Sequence, residues 1–196
     1  MGESATASDN TAPLDYRETR PTEGGASYSL RQRFQRLTWN VTWTLLASWT
    51  PAPLHRWRVF LLRLFGANVH PSAHVYRSAK IWLPQNLTMG PHACLGPKVN
   101  CYNMAMITLD DHAIVSQGTH LCAGTHDVDD EHFQLFAKPI AIGAHAWIAA
   151  EAFIGPGVAL GERCVVGARA VLFKDTAPDG IYAGNPAKLI RQRRRS

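Results

Sequence analysis

The chain has 196 residues and a formal net charge of +5, which allow one domain with a sizeable core. Its four cysteines form no CxxC pair, so they argue against a disulfide framework or a cysteine zinc site and favour reduced thiols in the cytoplasm. The chain opens without a signal-peptide pattern, and it has no uncharged apolar stretch as long as about eighteen residues. We therefore expect a cytoplasmic protein without a membrane-spanning helix.

The first 66 residues divide into a polar tail and a helical hairpin. Residues 1–27 are rich in Gly, Pro, Ser and Thr and are predicted to be disordered. Residues 28–66 predict a basic, aromatic-rich hairpin that packs on the end of the next domain. Contact with an anionic membrane surface, peripheral at the inner membrane, is the alternative for its Trp and Arg side chains. The apolar stripes are Leu30, Phe34, Leu37, Val41 and Leu45 in the first helix, and Trp57, Phe60, Leu61 and Leu64 in the second.

Residues 67–175 show a period of six. A helix would place positions i and i+6 about 240° apart, whereas six is a multiple of the two-residue period of a strand. Small residues such as Ala146 and Cys164 stand two positions before the repeating aliphatics. The pattern predicts an all-β fold, a parallel β-helix in which stacked coils bury the aliphatic side chains. The clearest run is Ile142, Ile148, Ile154, Leu160, Val166 and Leu172.

The rhythm of six breaks between residues 122 and 141. This segment, CAGTHDVDDEHFQLFAKPIA, is polar, charged and out of register. A loop of that length within a compact domain is usually functional, so we expect it to be extruded from the coils and to carry part of the site. Residues 176–196 form a C-terminal segment with a basic tail. We expect this tail to bind phosphates or to remain solvated, and not to bind nucleic acid.

Several segments resemble the hexapeptide-repeat acyltransferases, namely RWRVFLLRLFGA, GTHD in the loop, KPIAIG and the ending AGNPAKLIR. Together they look like the O-acetyltransferases of exopolysaccharide and colanic-acid biosynthesis. The resemblance implies a left-handed β-helix, acetyl-CoA as the donor and co-substrate, and no metal. It also implies a sugar or lipid-linked saccharide whose hydroxyl accepts the acetyl group, and a homotrimer with active sites at the subunit boundaries.

Direct transfer of an acetyl group to a sugar needs a base and an oxyanion donor. The hydroxyl is too weak an acid to ionise near neutrality, and an imidazole with a pKa of about 6.5 suits removal of its proton during the attack. The resemblance places the catalytic histidine in the extruded loop, where His126 matches it. Asp127 is a candidate to orient the imidazole. The resemblance also places an oxyanion donor on the backbone N–H of Ala150.

The resemblance implies an indole, two lysines and an asparagine that hold the two substrates, and the shapes of the pantetheine arm and the sugar suggest the other residues. The pantetheine arm of acetyl-CoA needs a groove of small side chains, with an indole at its edge and cations for its phosphates. The acceptor needs an amide on an earlier coil and an aromatic ring against the sugar. The cofactor residues are Trp147, Ala149, Ala150, Gly167, Ala168, Lys174 and Lys188. The acceptor residues are Asn100, Asn103 and Tyr102.

Two alternatives remain open at the level of the sequence. A γ-class carbonic-anhydrase-like zinc enzyme would use the same fold and would need three converging histidines, for which His92, His120 and His126 are available. A non-catalytic trimeric β-solenoid would serve as a scaffold, which a regular repeat by itself permits. Release of CoA from acetyl-CoA and analysis for bound zinc distinguish the three functions.

Overall fold

The computed structural model describes residues 13–194 of the chain. Part of the predicted disordered tail, residues 1–12, lies outside the described residues, as do residues 195 and 196. The described part has three α-helices, which are α1 (Tyr16–Thr19), α2 (Leu30–Leu46) and α3 (His55–Leu64). Short 3-10 turns lie at Pro21–Glu23 and Pro84–Asn86. The strands are β1 (Asn68–Val69), β2 (His74–Val75), β3 (Lys80–Ile81), β4 (Leu87–Met89), β5 (Cys94–Leu95), β6 (Asn100–Tyr102), β7 (Ile107–Leu109), β8 (Ile114–Val115), β9 (His120–Cys122), β10 (Gly124–His126), β11 (Leu135–Ala137), β12 (Ile140–Ile142), β13 (Trp147–Ile148), β14 (Phe153–Ile154), β15 (Ala159–Leu160), β16 (Val165–Val166), β17 (Val171–Leu172), β18 (Gly180–Ala183) and β19 (Lys188–Gln192).

Three parallel sheets form the faces of a solenoid. The first sheet has the order β1-β4-β7-β12-β15, the second β2-β5-β8-β13-β16-β18, and the third β3-β6-β9-β14-β17. Consecutive strands pass from the first sheet to the second and then to the third, so three strands complete one coil. The predicted all-β parallel β-helix is confirmed, while its left hand remains what the resemblance implies. The periodicity did not predict β19, which closes the second sheet by pairing antiparallel with β18.

The period of six gives the solenoid its core. In the second sheet, Val75, Leu95, Val115, Ile148 and Val166 are each 0% exposed and belong to one continuous apolar cluster. The small residues two positions earlier are buried as well, as the pattern predicts. Because each coil buries its apolar side chains against the coils above and below, stacking is the source of the solenoid's stability.

The four cysteines are free thiols, as expected from their spacing. Burial raises the pKa of the Cys101 thiol to about 12. The pKa values of the other three thiols are also raised, mainly by burial. Protonated thiols are poor nucleophiles, so these side chains act as small apolar residues of the coils.

In the first three coils, the interruptions of the period of six fall at one corner, where the third sheet leads back to the first. Ile81 and Met89 are eight residues apart across this corner, and so are Cys101 and Leu109 one coil later. In the third coil the extruded loop, with its β10–β11 hairpin, occupies the same corner between β9 and β12. We call this edge the insertion corner. The breaks in the sequence rhythm therefore point to one edge of the solenoid.

The helices α2 and α3 cover the first coil with aromatic and basic side chains. Trp39 is 2% exposed, and its indole nitrogen donates to the Ile81 carbonyl (2.7 Å). Arg58 is 0% exposed and donates from Nε to the Val75 carbonyl (2.6 Å) and from a terminal nitrogen to the Thr50 hydroxyl (2.7 Å). The hairpin is thus tied to the solenoid by polar bonds made in a buried interface. No helix in residues 13–194 is long and apolar enough to cross a bilayer.

The apolar stripe predicted for α2 points away from the solenoid, because Trp39 and Trp43 form the packed face instead. In α3 the stripe is divided, since Leu61 is 2% exposed while Trp57, Phe60 and Leu64 are exposed. The five stripe residues of α2 range from 48% to 80% exposed; they are Leu30, Phe34, Leu37, Val41 and Leu45.

The described part of the N-terminal tail differs from the prediction of disorder. Helix α1 follows Asp15, and Tyr16 is only 5% exposed. The backbone N–H of Tyr16 donates to the Gln134 side-chain oxygen (2.8 Å), and the Gln134 amide donates to the Leu14 carbonyl (3.2 Å). The segment is ordered because it packs on the extruded loop. A contact between residues so distant in the chain cannot be inferred from polar composition.

Candidate active site

His126 ends strand β10 in the hairpin at the insertion corner. Its ring stacks on the Phe133 ring, with centroids 4.4 Å apart and planes inclined by 13°. Its Nδ1 lies 2.8 Å from the backbone carbonyl oxygen of Phe133. Because a carbonyl can only accept, this bond requires a proton on Nδ1. In the neutral ring, Nε2 then has the free lone pair that a general base needs.

The backbone carbonyl of Phe133, and not Asp127, orients the imidazole. Phe133 has a φ of 53°, and its N–H donates to the Asp130 carbonyl (2.8 Å), so the turn at the tip of the hairpin fixes its position. The Asp127 carboxylate instead accepts from the Asp129 backbone N–H (3.1 Å) within the same turn. The orienting role expected for Asp127 is therefore corrected. A backbone acceptor has no side-chain signature, which is why the sequence did not reveal it.

The hairpin rests tightly on the strands below it. Gly124 is buried, and a Cβ at this position would collide with the Met104 sulfur and would approach the Tyr102 ring to 2.9 Å. The Tyr16 ring, which belongs to the same buried cluster as Met104, lies 6.2 Å from the His126 ring, centroid to centroid. The glycine thus allows the histidine strand to approach the third sheet closely.

Ala150 lies at the opposite corner of the third sheet, in the turn between β13 and β14. Among the described residues, its backbone N–H has no hydrogen-bond partner. Equivalent turns elsewhere have proline at this position, at Pro91, Pro97 and Pro156, so the turn itself does not use this N–H. The Ala150 amide is therefore free to bind an oxyanion.

A strip of small residues runs along this second corner, where the second sheet leads to the third. Ala149–Ala150 and Gly167–Ala168 are equivalent positions one coil apart, linked by the Arg169 N–H to the Ala150 carbonyl (2.9 Å). A Cβ on Gly167 would lie 3.2 Å from the Ala183 Cβ, which is tighter than ordinary contact. We call this edge the small-residue corner. It has the low relief that an extended pantetheine arm requires.

The other candidate cofactor residues divide between the two corners. Trp147 stands next to the small-residue corner, is 47% exposed and donates from its indole to the Ser116 hydroxyl (2.9 Å). Lys188 pairs with Ala183 at the start of β19, near the same corner. Lys174 follows β17, so it lies at the insertion corner instead. Both lysines are exposed, as groups that bind phosphates need to be.

His126 and Ala150 do not meet within one chain. The strand β9 leads into the histidine hairpin, whereas Ala150 precedes β14, the parallel neighbour of β9 in the third sheet. The two groups therefore lie at opposite ends of parallel strands, one whole face of the solenoid apart. A site that uses both requires the insertion corner of one chain to meet the small-residue corner of another.

A cavity of about 660 Å³ lies between α2 and the outer face of the third sheet. Asn100 lines it, and the Asn100 amide nitrogen is 3.2 Å from the Nε2 atom of His120. Burial lowers the pKa of His120, which favours the neutral ring that can accept this bond. Tyr102 lines the end of the cavity beside the β10–β11 hairpin, and burial raises the pKa of its hydroxyl. Arg36, Trp82 and Cys122 lie near the same end.

Asn103 is not available to an acceptor, contrary to the expectation from the sequence. The residue is 0% exposed. Its side-chain oxygen accepts from the N–H groups of Trp82 and Leu83 (both 3.0 Å), and its nitrogen donates to the Leu83 carbonyl (2.6 Å). All of these hydrogen bonds are made at the insertion corner, where the Asn103 amide fixes the backbone that follows β3. Of the two asparagines, Asn100 alone lines the cavity.

The three histidines considered as zinc ligands are dispersed in the chain. His92 stacks on His112 at the corner between the first and second sheets, with centroids 4.9 Å apart, and His145 continues that stack. His120 lies on the third sheet, and His126 lies at the insertion corner. Within residues 13–194, no group of three His, Cys, Asp or Glu side chains could hold a metal ion. The geometry therefore does not support the carbonic-anhydrase-like alternative within one chain.

Comparison with known proteins identifies relatives that share the sequence and the fold. WcaF of Escherichia coli K12, described as a colanic acid biosynthesis acetyltransferase, is 44% identical over 158 residues, or 81% of this chain and 86% of WcaF. A hexapeptide-repeat acetyltransferase from Vibrio cholerae, crystallised with acetyl-CoA, gives a TM-score of 0.73 at 26% identity and covers 84% of this chain and 90% of that chain.

Galactoside acetyltransferase in complex with CoA shares the fold, with a TM-score of 0.67 at 22% identity over 91% of each chain. No protein-family model matches the chain. The similarity to WcaF extends over 81% of the chain, and the solenoid superposes on solved acetyltransferases. The chain therefore belongs to the hexapeptide-repeat acetyltransferases and is a relative of WcaF.

Proposed function

We propose that the chain transfers an acetyl group from acetyl-CoA directly to a hydroxyl of a saccharide in exopolysaccharide or colanic-acid-type biosynthesis. The observation that carries this proposal is the His126 imidazole, whose Nδ1 bonds to the Phe133 carbonyl at 2.8 Å and whose Nε2 is left as the base. The acceptor class rests on the description of WcaF. Acetyl-CoA as donor rests on the structure of the relative from Vibrio cholerae.

The proposed reaction needs no covalent intermediate on the protein. Nε2 of His126 takes the proton of the acceptor hydroxyl as its oxygen attacks the thioester carbonyl. The Ala150 N–H stabilises the negative charge that develops on the carbonyl oxygen. When the tetrahedral intermediate collapses, the C–S bond breaks and the imidazolium returns the proton to the departing CoA sulfur. The acetyl ester and free CoA are the products.

We propose a homotrimer, because each chain carries only half of this machinery at any one corner. His126 and Ala150 lie at opposite ends of the third sheet. Each active site would therefore combine the β10–β11 hairpin of one copy with the small-residue corner of the next. A closed ring then repeats the same contact at every boundary. Lys174 would lie on the histidine side of the boundary, with Trp147 and Lys188 on the other side.

The cavity beside the hairpin suits the acceptor. Asn100 and Tyr102 both line it, so the amide would bind sugar hydroxyls and the phenol ring would stack on the sugar. We propose that the saccharide lies in this cavity, with the reacting hydroxyl directed to His126. Peripheral contact with a membrane would bring a lipid-linked saccharide to the cavity.

Release of free CoA tests the proposed chemistry. The protein with acetyl-CoA and an acceptor glycoside or lipid-linked saccharide is expected to release CoA, and His126→Ala is expected to slow release by about 10²–10⁴-fold. His112→Ala is the matched control, because His112 is exposed and stacks between His92 and His145, away from the insertion corner. Equal release by the wild type and His126→Ala would overturn the proposal. Stoichiometric zinc with no CoA release would favour the metalloenzyme, and failure to bind any acyl-CoA would favour the scaffold.

Mixing two inactive variants tests the subunit boundary. Ala150→Pro removes one N–H from a turn that accepts proline elsewhere, and Ala144→Pro, at the equivalent position of another turn, is its control. Trimers formed from equal amounts of His126→Ala and Ala150→Pro chains should regain about a quarter of the sites, since one boundary in each mixed trimer has both intact groups. Absence of recovery in verified mixed trimers would contradict a shared site.

A further inference from the structure

Helices α2 and α3 both expose large apolar side chains, and the Trp57 indole of α3, which donates to the Leu46 carbonyl of α2, connects the two sets. We call these side chains together the hairpin face. On α2 the exposed side chains occupy the side opposite the buried Trp39. On α3, Phe60 is 53% and Leu64 is 67% exposed. A surface of contiguous large apolar side chains is unusual for a protein that meets only water. The hairpin face consists of Leu30, Phe34, Leu37, Val41, Leu45, Trp49, Trp57, Phe60 and Leu64.

The segment of chain that contains the hairpin face carries charge of one sign. From Gly24 to Leu109 the sequence has no Asp or Glu. Among the described residues, none of the basic side chains in this stretch forms an ion pair with a carboxylate. Glu23 and Asp110 are the acidic residues that flank this stretch. The nine basic residues of the stretch are Arg31, Arg33, Arg36, Arg56, Arg58, Arg63, Arg77, Lys80 and Lys98.

Two tryptophans stand at the end of the hairpin face where α2 turns into α3. The Trp49 indole donates to the Leu45 carbonyl and the Trp57 indole donates to the Leu46 carbonyl, both at 2.7 Å. Both rings remain exposed, at 65% and 39% respectively. Indoles held in this way, with their apolar bodies outward and arginines nearby, are typical of the boundary between lipid headgroups and acyl chains.

The hairpin face is continuous with one wall of the cavity. Arg36, Asn40 and Thr44 form a row along α2 that lines the cavity. The next row around the helix contains Leu37 and Val41 of the hairpin face, because residues three and four apart are neighbours on a helix surface. A molecule that lies against the hairpin face can therefore reach the cavity by crossing a single row of α2 side chains.

The cavity has positive charge where a phosphate would enter. Arg36, Arg77 and Lys80 line it, and its lining includes no acidic residue. The Arg36 guanidinium carbon lies 3.2 Å from the centroid of the Trp82 ring, which holds the group at the cavity wall. Arginine and lysine bind phosphate oxygens through charge-assisted hydrogen bonds.

We infer that the hairpin face docks on an anionic lipid bilayer, and that the cavity receives the phosphate-bearing head of a lipid-linked saccharide from it. The second half of this inference rests on the proposed function, since it names the acceptor of the same reaction. The bilayer is favoured over a second copy of the chain because the basic residues around the face would repel their own copies and attract anionic lipid.

Sedimentation with vesicles tests the docking. The protein is expected to bind vesicles of phosphatidylcholine with phosphatidylglycerol, and to bind phosphatidylcholine alone much more weakly. Leu37→Gln combined with Val41→Gln should lower the affinity by about tenfold or more. Arg33→Gln and Arg63→Gln should each lower it by roughly fivefold. Ile114→Gln is the control, because Ile114 is similarly exposed (45%) on the second sheet and should leave affinity unchanged.

Two results would overturn the docking. One is equal or absent binding to both vesicle types. The other combines two observations: the wild type does not bind vesicles, and the Leu37→Gln, Val41→Gln variant changes its oligomeric state in light scattering. That combination would mean that the hairpin face binds a second copy of the chain. Loss of binding in the arginine variants alone, with folding checked by circular dichroism, still supports an anionic surface.

A comparison of acceptors separates this inference from the proposed function. CoA release is measured with a water-soluble glycoside and with a lipid-linked saccharide in anionic vesicles. The Leu37→Gln, Val41→Gln variant should lose about tenfold with the vesicle acceptor and keep its rate with the soluble one. Equal rates for wild type and variant on both acceptors would sink the inference and leave the acetyltransferase intact. Vesicle binding without any CoA release would do the reverse.

Discussion

The solenoid and the helical hairpin use the same residue types in opposite ways. In the coils, aliphatic residues at a period of six are buried completely, as Ile148 shows at 0% exposure. In α2, aliphatic residues at a helical period face outward, as Leu37 shows at 59% exposure. The packed side of α2 consists instead of indoles that donate hydrogen bonds to the coil backbone, from Trp39 and Trp43. Periodicity identifies a face of an element, but the partner decides whether that face is covered.

The largest effect is expected when the two kinds of aliphatic side chain are truncated in parallel. Ile148→Ala should lower the free energy of unfolding by about 2–5 kcal/mol, because it leaves a cavity between stacked coils. Leu37→Ala should change it by less than about 0.5 kcal/mol, since the side chain is mostly exposed. Urea unfolding followed by circular dichroism measures both. Similar losses for the two variants would mean that the hairpin face is covered in the free protein.

A second large effect is expected at the joint between the two regions. Arg58→Met removes donors from the Val75 and Pro51 carbonyls and from the Thr50 hydroxyl, so it should cost about 3 kcal/mol of unfolding free energy. Arg56→Met, at an exposed position of the same helix, is the control and should be nearly neutral. If Arg58→Met were equally neutral, the hairpin would not depend on this buried guanidinium.

An effect on activity rather than on stability is expected in the loop. Gly124→Ala should displace the histidine hairpin from Met104 and Tyr102, and a shift of about 1 Å can cost roughly 100-fold in rate. The CoA-release assay measures the loss, and thermal unfolding of the coils serves as the control, since they do not depend on the hairpin for stacking. Unchanged activity would show that the strand finds another way past the Met104 sulfur.

The smallest effect is a dependence of stability on pH. Burial lowers the pKa of His120 in the solenoid. The pKa of His55 in the helical hairpin is also lowered, mainly by burial. The unfolded chain then binds more protons than the folded chain, so stability should fall as the pH drops below about 6.5. His120→Gln should reduce that slope by at most about 1.4 kcal/mol per pH unit. An unchanged slope in unfolding titrations would contradict burial as the cause.

Much of the solenoid was predictable because its chemistry is local and repeated. A residue such as Ile154 meets the same kind of neighbour in each coil, so the spacing alone indicates strand, turn and core. The histidine hairpin was also predictable, since the break in the rhythm marks the segment that contains His126. Because the spacing of six is regular elsewhere, a segment that departs from it can be recognised in the sequence.

The remaining features depend on contacts between distant residues. The Phe133 carbonyl that orients His126 belongs to the backbone, which the sequence does not distinguish. Asn103 was a candidate for the acceptor because asparagine suits both sugar hydroxyls and buried turns, and only the fold decides between them. Tyr16 is ordered by Gln134, more than a hundred residues away. The face of α2 that packs could not be chosen from the stripe, since indoles and aliphatics are both apolar.

The insertion corner is the edge of the solenoid at which the length of the chain can vary between coils. Across the other two corners the repeating core residues stay six apart in every coil, from Val69 and Val75 to Val166 and Leu172. At the third edge, lengthening the chain alters only what projects from the prism. Changes of length there can reshape the neighbouring cavity without disturbing the packing beneath it.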